Sequence, residues 1–341
     1  MRRTKLLIIT ALIFIASLPT INAYAIACLN LASEEVRGLW ITRDFLASKE
    51  KILEFINAAE KYNFNTLFVQ VRGRGEAFYH SKIEPRSNLL QPGDFDPLAF
   101  VIKEAHPRNL KVHAWLNAYY VWSEKELPEA SDHVVNKYPR WIIHSRGRKF
   151  LLPSHPEVNS YLYNVYMEIA QNYDVDGIHF DYIRYPTDFV GVESKNVTAL
   201  VRDVYYGLKK LKPKLQVSAA VYPDIKEAIS RKGQDWSAWL KEGIVDFVVP
   251  MVYTVNKNVR EGQIVEAIKV VSGKHVLAGL GAYNLSLAEL KSAIKFCRSL
   301  NSPALKGMVF FSYTTFKEKP TYLDALKLDQ RPKTEDQRPN F

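Results

Sequence analysis

Short apolar runs rich in Val, Ile, Phe and Tyr begin near residues 37, 66, 111, 175, 215, 245, 275 and 306, and amphipathic helical stretches separate most of them. Runs this apolar belong to strands covered on both faces, the condition of a parallel sheet whose crossovers are helices. Eight of them, alternating with helices over about 280 residues, match a (β/α)8 barrel in number and size. A doubly wound sheet is the alternative, but no glycine-rich dinucleotide loop follows the first run. Gly73 and Gly75 are too few and follow the second. The expectation is an α/β TIM barrel over residues 34–328, followed by a Pro-, Lys- and Gln-rich tail at 329–341.

Helix boundaries are legible at three places. Ser48 stands as an N-cap before a face of Ile52, Phe55, Ile56 and Ala59. Ser154-His155-Pro156-Glu157 reads as a capping box with proline in the first turn, leading to Val158, Leu162, Val165 and Ile169. Ser286 and Glu289 form a second box before Leu290, Ile294 and Cys297, which makes Cys297 an inert core residue. Six of the seven gaps between strand starts run from 29 to 45 residues, but the third, from 111 to 175, is 64. The excess is an insertion at 119–155 after the third strand, on the face where barrel enzymes place their sites. It carries Trp122, Trp141, Arg140, Arg146, Arg148 and Lys149. It reads either as a solvated loop with its own small cluster or as a lid that stacks on and charge-pairs an extended anionic substrate.

The formal charge is +10, which raises a nucleic-acid reading that the N-terminus weakens. Met1 to Lys5 is basic, Leu6 to Ala16 is an apolar h-region of eleven residues, and Ala23-Tyr24-Ala25 fits a signal-peptidase site. The apolar run is too short to span a bilayer comfortably. Cleavage after Ala25 removes Arg2, Arg3 and Lys5 and no acid, lowering the charge from +10 to +7. Ala25-Ile26-Ala27-Cys28 faintly resembles a lipobox, but Ala25 stands where such boxes carry Leu, so a lipid anchor through Cys28 is the weaker reading. The mature protein is expected in the periplasm or outside the cell, with no membrane span after signal removal and no nucleic-acid partner. Two cysteines exclude a disulfide-built scaffold and a thiolate metal cluster.

Strand alternation sorts the polar residues. His179 and Asp181 share one phase of the fourth strand, with Ile178, Phe180 and Tyr182 on the other. The third strand gives His113, Trp115 and Asn117; the fifth gives Ser218, Tyr222 and Asp224; the second gives Gln70 and Arg72; the sixth gives Met251 and Tyr253. The inward set Arg72, His113, Asn117, His179, Asp181, Tyr222, Asp224 and Tyr253 therefore lines the barrel mouth. Asp176, before Gly177, reads as a turn or cap residue. Both histidines read equally as core residues bonded to backbone or carboxylate. Asp181 is the strongest catalytic candidate, a buried carboxylate at a strand's C-terminal end beside His179 and Arg184. Asp224 divides between catalytic partner and loop cap, and Glu76 is a further candidate acid.

Val36-Arg37-Gly38-Leu39-Trp40-Ile41-Thr42, Val69 to Tyr79, Val112-His113-Ala114-Trp115-Leu116-Asn117, Val175 to Tyr182 and Asp235-Trp236 resemble the glycosyl-hydrolase-like family 10 proteins from about Val36 to Phe316. The resemblance implies a barrel related to glycoside hydrolases and, for exported bacterial members, an association with peptidoglycan glycan strands. Chitinase-type barrels offer a second comparison through Met251-Val252-Tyr253. Where their fourth strand ends in a catalytic Glu this chain has Ile183, and His179 replaces an inner Asp. The working acid must then come from another strand or loop.

The expected chemistry makes Asp181 the nucleophile or base and Asp224 or Glu76 the acid. Arg72, His113, Asn117, His179, Arg184, Tyr222 and Tyr253 would bind sugar hydroxyls, with Trp115, Trp122 and Trp141 as stacking platforms. The partner expected is an anionic cell-wall glycan, and no cofactor is called for. Two rivals stand beside this: a metal held by His113, His179 and Asp181 for deacetylation or ester hydrolysis, and a degenerate barrel that binds glycan without cutting it.

Overall fold

The computed structural model describes residues 35–323 and 326, apart from 124 and 272. The export segment 1–25, Cys28 and the tail 329–341 lie outside the described residues. Strands β1 (Val36–Ile41), β2 (Thr66–Arg72) and β3 (Lys111–Asn117) precede an insertion holding β4 (Tyr120–Trp122), β5 (Ile142–Ser145) and β6 (Arg148–Leu151). β7 (Gly177–Asp181), β8 (Gln216–Val221), β9 (Phe247–Val252), β10 (His275–Gly281) and β11 (Leu305–Phe311) follow. The eight strands outside the insertion close into a parallel barrel in the order β1-β11-β10-β9-β8-β7-β3-β2. The (β/α)8 expectation holds, with strand starts within two residues of the apolar runs.

Helices α1 (Lys49–Lys61), α2 (Pro97–Ala105), α3 (Val134–Lys137), α4 (Pro156–Asn172), α5 (Ser194–Leu211), α6 (Ile225–Lys232), α7 (Trp236–Glu242), α8 (Lys257–Val270), α9 (Leu287–Ser299) and α10 (Tyr313–Glu318) complete the described fold. Alternation divides the core in two. Leu39, Val69, Val112, Ile178 and Val217 face the helices, whereas Trp40, Phe68, Trp115, Phe247, Val249 and Val309 fill the barrel interior. Ser48 caps α1, and the Ser286–Glu289 box caps α9 with Cys297 buried on its apolar face. The box expected at Ser154 does not form. Pro156 keeps the preceding residue extended, so His155 becomes the N-cap and its ring accepts from Glu157 N–H. At the bottom of the barrel Asp176 Oδ2 accepts from Val112 N–H at 2.8 Å and contacts His106 Nε2 at 3.0 Å. Asp246 repeats the device, accepting from Val217 N–H at 2.8 Å and Lys209 Nζ at 2.7 Å.

The insertion is built rather than loose. β4, β6 and β5 form an antiparallel sheet in that order. Trp141 is buried, stacked on Tyr138 at 3.9 Å and packed against Tyr161. Trp122 is buried too, donating from Nε1 to Glu126 O at 2.7 Å with the Arg74 guanidinium 4.2 Å above its ring. Trp141 packs within the insertion rather than presenting a stacking face, and Trp122 braces the insertion while also bordering a small cleft beside it.

Candidate active site

A cleft of about 720 Å³ opens at the C-terminal ends of the barrel strands. Its lining includes Trp40, Arg43, Gln70, Trp115, Asn117, Tyr120, Asp181, Tyr182, Arg184, Tyr222, Glu227, Tyr253 and Phe311. Strand register builds the floor: Trp115 pairs with His179 and Asn117 with Asp181 across β3 and β7. Asn117 Nδ2 donates to Gly73 O at 2.8 Å, and its Oδ1 accepts from Trp115 Nε1 at 3.2 Å. Asp181 ends β7 nearly buried, and its Oδ1 accepts from Tyr182 N–H at 2.6 Å and from Arg184 Nη1 at 3.3 Å. Its pKa is raised because burial outweighs the Arg184 charge, the Tyr182 N–H and the Trp115 indole, which all favour the anion.

Tyr182 departs from the expected strand phase. Its φ of 45° places it in the left-handed region, uncommon and strained for a bulky residue. The turn carries its ring into the cleft, stacked on Tyr120 at 4.8 Å with Arg184 4.4 Å over its face. Tyr120 is the insertion's contribution to the cleft. Tyr222 and Tyr253 stand on the other side, and Tyr253 meets the edge of Trp40 at 6.4 Å. Tyr253's hydroxyl is pushed well above its usual pKa by burial and then by Asp181, so it stays a neutral donor. Fully buried Gln234 braces this wall, accepting from Tyr222 N–H at 2.7 Å and donating to Ala220 O at 3.2 Å.

Several expected residues are placed elsewhere. Arg72 is fully buried because β2 shifts register between Gln70 and Arg72, which turns the side chain out of the lumen. There it grips Glu84 at 2.6 Å and the Asn117 and Ala118 carbonyls. His113 and His179 point inward but lie sealed below the cleft. Trp40 Nε1 donates to His179 Nε2 at 3.2 Å, and Ser218 Oγ lies 2.9 Å from Nδ1. Both ring nitrogens of His113 are buried without a partner, and burial lowers its pKa to about 4. With His179 engaged on both nitrogens, the triad a metal reading requires does not converge. Among the described residues no group of three His, Cys, Asp or Glu is arranged to hold a metal ion.

Asp224 is exposed and caps α6, its Oδ1 accepting from Glu227 N–H at 2.8 Å. The strand has already ended at Val221, so alternation no longer governs it. Glu76 belongs to a second, smaller cleft of about 330 Å³ with Trp122, Arg86 and His133, and pairs with Arg74 at 3.4 Å. The carboxylate that joins Asp181 is Glu227, about one-third exposed on the first turn of α6. Sequence reasoning passed over it because its spacing from the strand fits a helix, not a strand end. Trp40 was missed as well, although β1 carries it in the lumen phase.

The sequence profile of the family described as glycosyl hydrolase-like 10 matches residues 35–196 and 189–286. The chain belongs to that family. The chain is 27% identical over 279 residues to the glycosyl hydrolase YngK of Bacillus subtilis, covering 65% of this chain and 54% of that one. It is 25% identical over 291 residues to the glycosyl hydrolase DigH of Escherichia coli K12, covering 65% of this chain and 66% of that one. The glycosyl hydrolase-like 10 chain described here thus spans between half and two-thirds of the length of these relatives. In three dimensions it is similar to an α-L-fucosidase from Paenibacillus thiaminolyticus, with TM-score 0.60, 13% identity, and coverage of 86% of this chain and 48% of that one. An α-amylase from Geobacillus thermoleovorans gives TM-score 0.58 at 13% identity, covering 86% and 77%. At such identities the likeness concerns the barrel fold.

Proposed function

We propose that the protein is a glycoside hydrolase that cleaves a polysaccharide by paired-carboxylate chemistry, acting outside the cytoplasm on the glycan strands of peptidoglycan. The observation that carries the reading is the joint presence of Asp181 and Glu227 on one aromatic-walled cleft. Glycoside hydrolysis needs one carboxylic acid to protonate the leaving oxygen and a second carboxylate to attack the sugar or activate water. Asp181 takes the second role: burial raises its basicity while Tyr182 N–H and Arg184 hold its Oδ1 in place. Glu227, at the more exposed rim of the same cleft, takes the role of the acid. The Tyr120–Tyr182 stack offers a face for a sugar ring, and Trp40 and Trp115, themselves nearly buried, back the floor of the cleft. The Met1–Ala25 pattern supports export, and the charge of +7 left once that segment and its Arg2, Arg3 and Lys5 are removed from the full +10 supports an anionic polymer.

The test is incubation of the protein with peptidoglycan and with peptide-stripped glycan strands, reading products by mass spectrometry. Shortened strands are expected, and Asp181→Asn should abolish them. Glu227→Ala should lose the polymer yet retain turnover of an aryl glycoside whose phenolate leaves without protonation. Intact strands with protein bound would overturn the hydrolase in favour of a binding barrel. Loss of acetyl groups alone would do so in favour of a deacetylase.

A further inference from the structure

The cleft holds two guanidinium groups in different states. Arg184 is paired with Asp181 at 3.3 Å. Arg43 lines the same cleft, and among the described residues no carboxylate bonds to it. Its Nε is shut off from water without a hydrogen-bond partner. The charges around it do not neutralise it: Arg74 is a like charge, Glu76 is engaged with Arg74 at 3.4 Å, and Asp44 is exposed to solvent. A partly buried cation left in this condition costs stability unless something pairs with it.

Its position is built by the surrounding backbone. Arg43 opens a one-turn helix (Arg43–Leu46) directly after β1, and its backbone N–H donates to Gln70 Oε1 at 3.3 Å. The side chain lies across Gly73, where a Cβ would stand 2.7 Å from Nη1 and 2.8 Å from Cδ. Gly73 is not among the residues with positive φ, so its missing side chain serves this close approach rather than a turn. The Asn117 amide, donating to Gly73 O at 2.8 Å, fixes that platform to the wall that also holds Asp181.

We propose that Arg43 is the recognition group for a carboxylate carried by the sugar chain, which makes the substrate an acidic polysaccharide and Arg43 its charge-selecting residue. The inference rests on the reading of the cleft as a glycan site. Asp181 and Glu227 by themselves would repel an anionic sugar; a guanidinium on the same wall reverses that. Its planar fork suits bidentate binding of a carboxylate, which a lysine at this position would not reproduce.

The experiment uses peptide-stripped peptidoglycan strands, whose sugars bear free carboxylates, and the same strands with those carboxylates reduced to alcohols. Binding is measured by calorimetry on an Asp181→Asn background, and kcat/KM with Asp181 intact. The unaltered chain should prefer intact over reduced strands by about 10- to 100-fold, the range of a charge-assisted hydrogen bond. Arg43→Gln should bring the preference close to unity, Arg43→Lys should retain part of it, and Gly73→Ala, which displaces the Arg43 side chain, should resemble Arg43→Gln. Equal use of both strands by the unaltered chain, or an unchanged preference in Arg43→Gln, would overturn the inference and leave the hydrolase standing. Failure of the unaltered chain to bind or cut either strand would overturn both.

Discussion

His179 and Asp181 stand two residues apart on β7, face the same side of the sheet, and are both nearly or wholly buried. Burial is the leading cause of the pKa shift at each, and in each it favours the neutral form: it pushes His179 well below its usual value and raises Asp181. What separates them is depth. Trp40 lies over His179 as a hydrogen-bonded cover, so the imidazole stays neutral within the barrel. Asp181, one step nearer the mouth, has the cleft against its side chain. Strand alternation reports which side of the sheet a residue faces. Depth, which it does not report, decides between packing and chemistry.

The sharpest way to break that comparison is Asp181→Asn, for which turnover of glycan should fall by about 10³-fold or more. Stability should move the other way. Because the folded-state pKa of Asp181 is raised, ionising it destabilises the fold, and that loss sets in as pH climbs through the folded pKa. Asp181→Asn should therefore melt higher than the unaltered chain at neutral pH and match it more closely in acid. A variant with full turnover would remove Asp181 from the mechanism.

The barrel and the family were legible because both depend on patterns the chain repeats. Eight apolar runs give eight strands, and the motifs from Val36 to Asn117 and around Asp181 lie in the stretch that the family profile matches. The site was legible only where a strand continues to its end without irregularity. Trp115, Asn117 and Asp181 follow alternation and line the cleft. Arg72 does not, since a register shift precedes it, and Tyr182 does not, since its φ is positive. Glu227 belongs to the first turn of a helix that borders the cleft, a relation fixed by packing and absent from spacing.

Arg72 gives the next largest effect. Replacing it by Met leaves Glu84 buried without its cation, a change that costs about 3–5 kcal/mol in comparable settings. The melting temperature should drop while KM of the remaining folded protein is unchanged. A raised KM with unchanged stability would return Arg72 to substrate binding.

His113 tests the sealed layer by its response to acid. Its pKa is lowered from 6.5 to about 4, so the unfolded chain takes up a proton over that interval while the folded chain resists one. Stability should decline as pH falls from about 6.5 toward 4. His113→Leu, which fills the space between Phe68 and Phe247 without a titrating group, should flatten part of that decline in urea melts at pH 7, 5 and 4. His179, His133 and His275, shifted in the same direction, contribute to the part that remains. An unaltered slope would mean that the layer is open to water.

The smallest effect belongs to Asp224, and it is the most discriminating about which acid serves the cleft. Asp224 bonds the backbone N–H of Glu227, so the two lie three residues apart on the same turn with different work to do. As an N-cap, Asp224 contributes about 1 kcal/mol, and Asn supplies the same oxygen acceptor. Asp224→Asn should therefore be close to neutral in both stability and turnover, whereas Asp224→Ala should lower the unfolding midpoint slightly and turnover by no more than a few-fold, through fraying of the turn that presents Glu227. If Asp224→Asn instead lost turnover on the scale of Asp181→Asn, the proton would be coming from Asp224, and the first turn of α6 would have to open toward the cleft for catalysis to occur.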